Sequence, residues 1–131
     1  MSDEAVAFAQ NEYGSDKVQF VCGQMDEVDI ESADTLVSIE TIEHLDNPRI
    51  LNEFAEKHDI ETLVVSFPIK KTTHYNKFHK WDLKTQDVSD IFYNYAITRE
   101  FLFQYDTCFV CLVKHKPPGA MERRWRFPDL V

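Results

Sequence analysis

Glycine is nearly missing from this chain of 131 residues: three stand far apart, at 14, 23 and 119, and there are only five prolines. That scarcity excludes flexible linkers, collagen-like repeats and low-complexity segments. Cysteine is also sparse, and Cys22, Cys108 and Cys111 form an odd set in a chain with no secretion signal, which argues against a disulfide framework. Cys108 and Cys111 lie within a stretch that reads as a strand, where positions three apart face opposite ways. They therefore read as structural residues, and no second pair completes a zinc site. No apolar run reaches the length of a membrane span, and the opening Met-Ser-Asp-Glu has neither the cationic nor the apolar region of a signal peptide. Basic residues number 14 against 23 acidic ones, for a net charge of -9. Such a surface repels phosphate backbones, which argues against general nucleic-acid binding while leaving room for a local basic patch. What the chain does have is 44% hydrophobic and 13% aromatic residues, enough for one packed core at a size with no room for two ordinary domains. The expectation is a soluble, acidic, cytoplasmic protein.

Helical and extended patterns alternate along the sequence. Residues 2–13 predict a helix, with Ser2 or Asp3 to cap it, Val6, Ala9 and Tyr13 along one face, and Gly14 to end it. Residues 18–22 predict a short strand. Residues 35–39 are almost entirely apolar, as in a strand buried on both faces. A second helix is predicted over 47–57, with Pro48 in its first turn and Ile50, Leu51, Phe54 and Ala55 as its apolar stripe. Residues 61–67 predict another buried strand, stopped at Pro68. Residues 68–82 form a polar loop studded with Tyr75, Phe78 and Trp81, of a length that is usually functional or mobile. A helix over 84–93 follows, and then strands near 95–104 and 107–115 that form an antiparallel hairpin. The pattern predicts an α/β fold over residues 1–116, with a mostly parallel sheet covered on both faces and closed by the hairpin. Residues 117–131, with Arg123, Arg124 and Arg126, read as an irregular, locally basic tail.

The chemistry is concentrated after residue 34. A buried strand delivers Glu40 at its carboxyl end, where open α/β sheets place their ligands. Glu43 and His44 follow at offsets of three and four, so a helical turn would gather the three side chains on one side. Two carboxylates and an imidazole suit a divalent ion, Mg²⁺ or Mn²⁺ more naturally than zinc, and His74 or His79 from the 68–82 loop would complete the shell. The same acidic residues would also be stabilised by the dipole of a following helix with no ion present. Spacing alone leaves both readings open.

In order and spacing, these segments resemble the later part of a class I S-adenosylmethionine-dependent methyltransferase, a partial Rossmann-like fold. Ser2-Asp-Glu-Ala-Val-Ala-Phe-Ala is similar to the helix after the family's second strand, and Val18-Gln-Phe-Val-Cys-Gly-Gln-Met25 to its third strand and adenine-side loop. Residues 35–45 resemble the fourth strand and its turn, and Leu63-Val-Val-Ser-Phe-Pro68 the fifth. The final pair resembles the antiparallel sixth and seventh strands. Glu40-x-x-Glu43-His44 is similar to the pattern in ubiquinone-pathway O-methyltransferases and small-RNA 3′-end methyltransferases, where such residues hold a divalent metal near the acceptor hydroxyl. By this resemblance Glu40, Glu43 and His44 are catalytic and metal-binding residues. Phe78-His79-Lys-Trp81 resembles the acceptor-side loop, so that His79 is the fourth ligand ahead of His74. The resemblance also implies cofactor contacts at Gln24, Met25, Asp26 and Ile39, with Gln24 standing where the family commonly has Asp.

One departure is large. The family begins with a strand and a glycine-rich loop for the methionine end of the cofactor, and then a strand ending in a ribose-binding acid. This sequence opens where the family has just passed that acid, and its three glycines form no such loop. Losing the acid and one loop contact, at roughly 1.5–3 kcal/mol per hydrogen bond to a charged group, predicts cofactor binding weakened about a hundred- to ten-thousand-fold for the chain alone. In the family's sheet order 3-2-1-4-5-7-6, the missing strands would also bare one edge of strand 35–39. The expectation is that residues 18–22 move in beside that edge, or that another copy or a partner chain does. The readings are therefore a hydroxyl-directed, metal-assisted methyltransferase or its acceptor-side portion, a non-catalytic scaffold that binds protein, or a small metal enzyme that has left methyl transfer behind.

Overall fold

The structure, a computed structural model, describes residues 2–115. The arginine-bearing tail lies outside them. The chain divides into two units, one running to Ile30 and the other beginning at Glu31.

The first unit holds α1 (Asp3–Tyr13). The Ser2 hydroxyl accepts from the Ala5 amide, and the Gly14 amide closes the other end on the Gln10 carbonyl. No described residue of this unit is buried. The strand expected over 18–22 is absent: beyond an isolated bridge between Ser15 and Val18 the segment is irregular, and the Phe20 amide donates to the Gln10 side chain instead. A short apolar segment with no partner for its ladder does not hold a strand by itself. Gln24 to Val28 make a turn in which the Gln24 carbonyl accepts from the Glu27 and Val28 amides.

The second unit contains β1 (Thr35–Ser38), a 3₁₀ turn (Ile42–His44), α2 (Ile50–Lys57), β2 (Thr62–Pro68), α3 (Thr85–Ile91), β3 (Tyr95–Phe103) and β4 (Thr107–Lys114). The four strands form one sheet in the order β1-β2-β4-β3. β1 and β2 are parallel, with Ser38 opposite Val65, and β4 runs antiparallel to both β2 and β3. The class is α/β, with the antiparallel hairpin where the sequence placed it. With residues 18–22 outside the sheet, the parallel part is this single pair.

Pairing also explains the core. Leu63, Val65 and Phe67 of β2 lie opposite Leu112, Val110 and Cys108 of β4, so all six share a face, and all are fully buried. Leu51 and Ala55 of α2 and Val88 and Ile91 of α3 are buried as well. Among the described residues the other face is only partly covered, short of the expectation of a sheet covered on both sides. Val37, Phe101, Phe103 and Val113 are exposed there, and Phe109 is flanked by Phe101, stacked on it, and Phe103, edge-on. β1 is accordingly not buried on both faces: Val37 is 59% exposed, and the strand is hydrogen-bonded on one side only, as an edge. Residues 18–22, expected to pair with that edge, form no strand. Cys108 is buried, Cys111 is half-buried on the opposite face, and all three cysteines are free. No helix among the described residues is long and apolar enough to cross a membrane.

Candidate metal and acceptor site

The parallel pairing of β1 and β2 brings the carboxyl ends of both strands side by side, and the site is built there. Beyond β1 the chain passes through the exposed Ile39 to Glu40, whose φ of 47° lies in the left-handed region. Ser66 of β2, fully buried, holds that conformation from two sides. Its hydroxyl accepts from the Glu40 amide at 3.0 Å and donates to Glu40 Oε1 at 2.8 Å. The 3₁₀ turn then starts at Ile42, a core residue, and closes with the His44 amide on the Thr41 carbonyl. Glu40 therefore stands outside the turn, and the offsets of three and four do not place all three side chains on one helical face.

The 68–82 loop folds against this turn through polar contacts. The Lys80 amide donates to the Glu43 carbonyl at 2.7 Å, the Trp81 indole N–H to the Leu45 carbonyl at 2.7 Å, and Lys80 Nζ to Asp46. His44 Nδ1 lies 3.0 Å from the Phe78 carbonyl. Inside the loop, Asp82 accepts from the Thr72 and Thr73 amides and from the Thr73 hydroxyl, while the Thr72 hydroxyl lies 2.6 Å from His79 Nδ1. Burial pushes the Asp82 carboxyl upward, but those three hydrogen bonds outweigh it and hold it below the usual range.

Glu43, His44 and His79 converge, with one ligand-type atom from each lying within 4.8 Å of the others. The two imidazoles meet edge to face with their centroids 4.6 Å apart. His74 is elsewhere in the loop, edge-on to Tyr75. Glu40 is outside the converging trio, near enough for its charge to act on Glu43 but with its carboxylate engaged by Ser66. Of the residues expected to contact the cofactor, Gln24, Met25 and Asp26 lie in the turn of the first unit and Ile39 lies just past β1 in the second.

Glu43 is the least ordinary residue here. It is 1% exposed, and neither carboxylate oxygen has a hydrogen-bond partner. Burial raises its pKa; its own backbone amide opposes this, the like charge of Glu40 adds to it and His44 opposes it. His44 Nε2 lies 3.5 Å from its Oε1. A carbonyl only accepts, so His44 Nδ1 carries the proton it donates to Phe78, and Nε2, a lone pair in the neutral ring and an N–H in the imidazolium, faces the carboxylate. Two acceptors facing each other need a proton or a cation between them. The pKa of His79 is lowered, first by burial and then by His44. The Thr72 hydroxyl engages its Nδ1 and so sets the orientation of the ring. The buried unpaired carboxylate and the two imidazoles oriented through Nδ1 fit a divalent cation, and imidazole in the set favours Mn²⁺ over Mg²⁺.

Sequence reasoning missed Ser66, Thr72 and Asp82. A serine near the carboxyl end of an otherwise apolar strand was the one local signal for Ser66. The other two act through contacts across the loop that spacing does not encode.

No protein-family profile matches the chain, and neither does any curated protein sequence. Several solved structures share its fold. A protein from Sulfolobus solfataricus described as a type 11 methyltransferase superposes with a TM-score of 0.67 at 10% identity, over 90% of this chain and 69% of its own. Magnesium protoporphyrin IX methyltransferase (ChlM) from Synechocystis PCC 6803, solved with SAH bound, gives 0.60 at 17% identity over 85% of this chain and 58% of its own. The Pnkp1/Rnl/Hen1 RNA repair complex gives 0.56 at 13% identity, over 86% of this chain and 30% of its matching chain. The chain has a methyltransferase-like fold.

Proposed function

We propose that this chain is the acceptor-side portion of an S-adenosylmethionine-dependent methyltransferase that methylates a hydroxyl with the help of a divalent ion. The observation that carries the reading is Glu43, a buried carboxylate with neither oxygen hydrogen-bonded, facing His44 Nε2 at 3.5 Å. Glu43, His44 and His79 would hold the ion, and Glu40, fixed by Ser66, would stand beside them as a further carboxylate. A divalent ion in such a place lowers the pKa of a bound hydroxyl and makes it a better nucleophile toward a methyl donor. The protein's own part is positional. Ser66 sets Glu40, the Phe78 carbonyl sets the tautomer of His44, and Thr72 orients His79.

A second reading, a non-catalytic scaffold that binds protein, is favoured by a different observation. β1 presents an uncharged edge with Val37 and Ile39 exposed, a ready template for another strand. Calorimetry with Mn²⁺, Mg²⁺ and S-adenosylmethionine separates the two. The first reading expects Mn²⁺ binding that is lost in His44→Ala and His79→Ala, and absence of ion binding overturns it. Micromolar cofactor binding by the chain alone would refute the expected hundredfold or greater weakening. Neither ion nor cofactor binding would leave the scaffold.

A further inference from the structure

Three rings interrupt the 68–82 loop, and they divide into two kinds. Trp81 is an anchor, with its indole N–H tied to the Leu45 carbonyl. Tyr75 and Phe78 anchor nothing, being 70% and 64% exposed. Exposed rings on a loose loop would mean little, but this loop is fixed. Thr72, Thr73 and Asp82 close it, Asn76 accepts from the Phe78 and His79 amides, and Lys80 and Trp81 bind it to the 3₁₀ turn. Phe78 is also the residue whose carbonyl holds His44, so the exposed ring is carried by a residue of the candidate site.

Charge points the same way. In a chain of net charge -9, residues 68–82 carry four lysines and a single acid, Asp82, which the two threonines engage. Lys80 is paired with Asp46, while Lys70, Lys71 and Lys77 are exposed. The Lys77 ammonium sits 4.9 Å from the centre of the Phe78 ring, fixing a cation beside an exposed aromatic surface.

Resting on the reading of this site as an acceptor site, we infer that Tyr75, Phe78 and Lys77 form a platform for an acceptor that combines a planar ring with an anionic group, the ring lying on the exposed aromatics and the anion on the lysines. Neither element suffices alone. A bare ring gains no charge contact, and a bare anion meets lysines in a chain that is acidic overall.

The test is a binding titration of the full chain with four probes: 4-hydroxybenzoate and phenyl phosphate, which pair a ring with an anion, and phenol and inorganic phosphate, which each carry one half. At least one ring-bearing anion should bind about tenfold more tightly than both controls, and the preferred one tells a carboxylate from a phosphate source. Phe78→Ala and Lys77→Gln should each remove most of that advantage. Both side chains are exposed, so circular dichroism should show the fold unchanged. Equal binding of all four probes, or an advantage that survives both substitutions, overturns the platform. Mn²⁺ titration of the same samples keeps the two claims apart. Ion binding without ring-anion binding sinks the platform alone, whereas loss of ion binding in the unaltered chain sinks the acceptor-site reading beneath it.

Discussion

Replacing Glu43 by glutamine should change the sign of its effect on stability with the metal content of the buffer. The side chain keeps its shape, and the backbone bond from Lys80 to the Glu43 carbonyl is untouched. In EDTA the native protein holds a buried carboxylate with neither oxygen paired. A buried polar group left unpaired costs about 1–3 kcal/mol, and more when charged. An amide carries no charge and can donate toward His44 Nε2, so Glu43→Gln should be more stable than the native chain by about 1–2 kcal/mol. For a domain of roughly 60–100 residues, each kcal/mol moves Tm by about 4–8 °C. In Mn²⁺ the order should reverse. A ligand at a hundred times its Kd stabilises the folded state by about 2.7 kcal/mol, a gain open to the native protein and closed to the variant. Thermal melts of both proteins, in EDTA and across a Mn²⁺ series, measure the crossing directly. A variant that melts lower in EDTA, together with a native Tm indifferent to Mn²⁺, would refute the reasoning and make Glu43 a structural carboxylate.

Two smaller perturbations probe what surrounds it. Ser66→Ala removes both bonds to Glu40, one of them to a charged group, and should cost about 1–2 kcal/mol in urea unfolding while weakening Mn²⁺ binding several-fold. An unchanged Mn²⁺ affinity would separate Glu40 from the ion site. Asp82 is held below its ordinary pKa by its hydrogen bonds, so it stabilises the fold above the unfolded value near 4 and loses that contribution as pH falls through the folded one. Asp82→Asn should flatten the acid limb of the stability profile below about pH 4, and an unaltered limb would refute that role.

How far the sequence could be read depended on whether a feature is local. The cap at Ser2 and the stop at Gly14 act within one helical turn, and α1 runs between them. The strands 95–103 and 107–114 announce themselves by composition and an intervening turn, although the backbone turns through Gln104 and Tyr105, both with positive φ, slightly ahead of the expected place. Residues 18–22 look equally strand-like, but a strand exists only with a partner, and composition does not say whether one is present. Burial of β1 failed for the same reason: Val37 is apolar, and what would cover it is a neighbour. At the site, Glu43, His44 and His79 were visible as residue types, while the assumption of a continuous helical turn put Glu40 on the same face, from which the chain's geometry sets it apart. The hold of Ser66 on Glu40 spans 26 positions, and that of His44 on Phe78 spans 34, distances at which a single sequence carries no pattern.

The left-handed backbone at Glu40 says something about how this position tolerates change. Glycine adopts that conformation freely, whereas a side chain there is disfavoured by about 1 kcal/mol or more. Random substitution would thus find a glycine at residue 40 favourable for the backbone, and drift in a merely structural loop would tend to settle on it. A saturation library selected for folding alone should therefore enrich glycine and asparagine at residue 40. One selected for ion binding should return glutamate and aspartate, and the gap between the two outcomes would measure what this carboxylate is kept for.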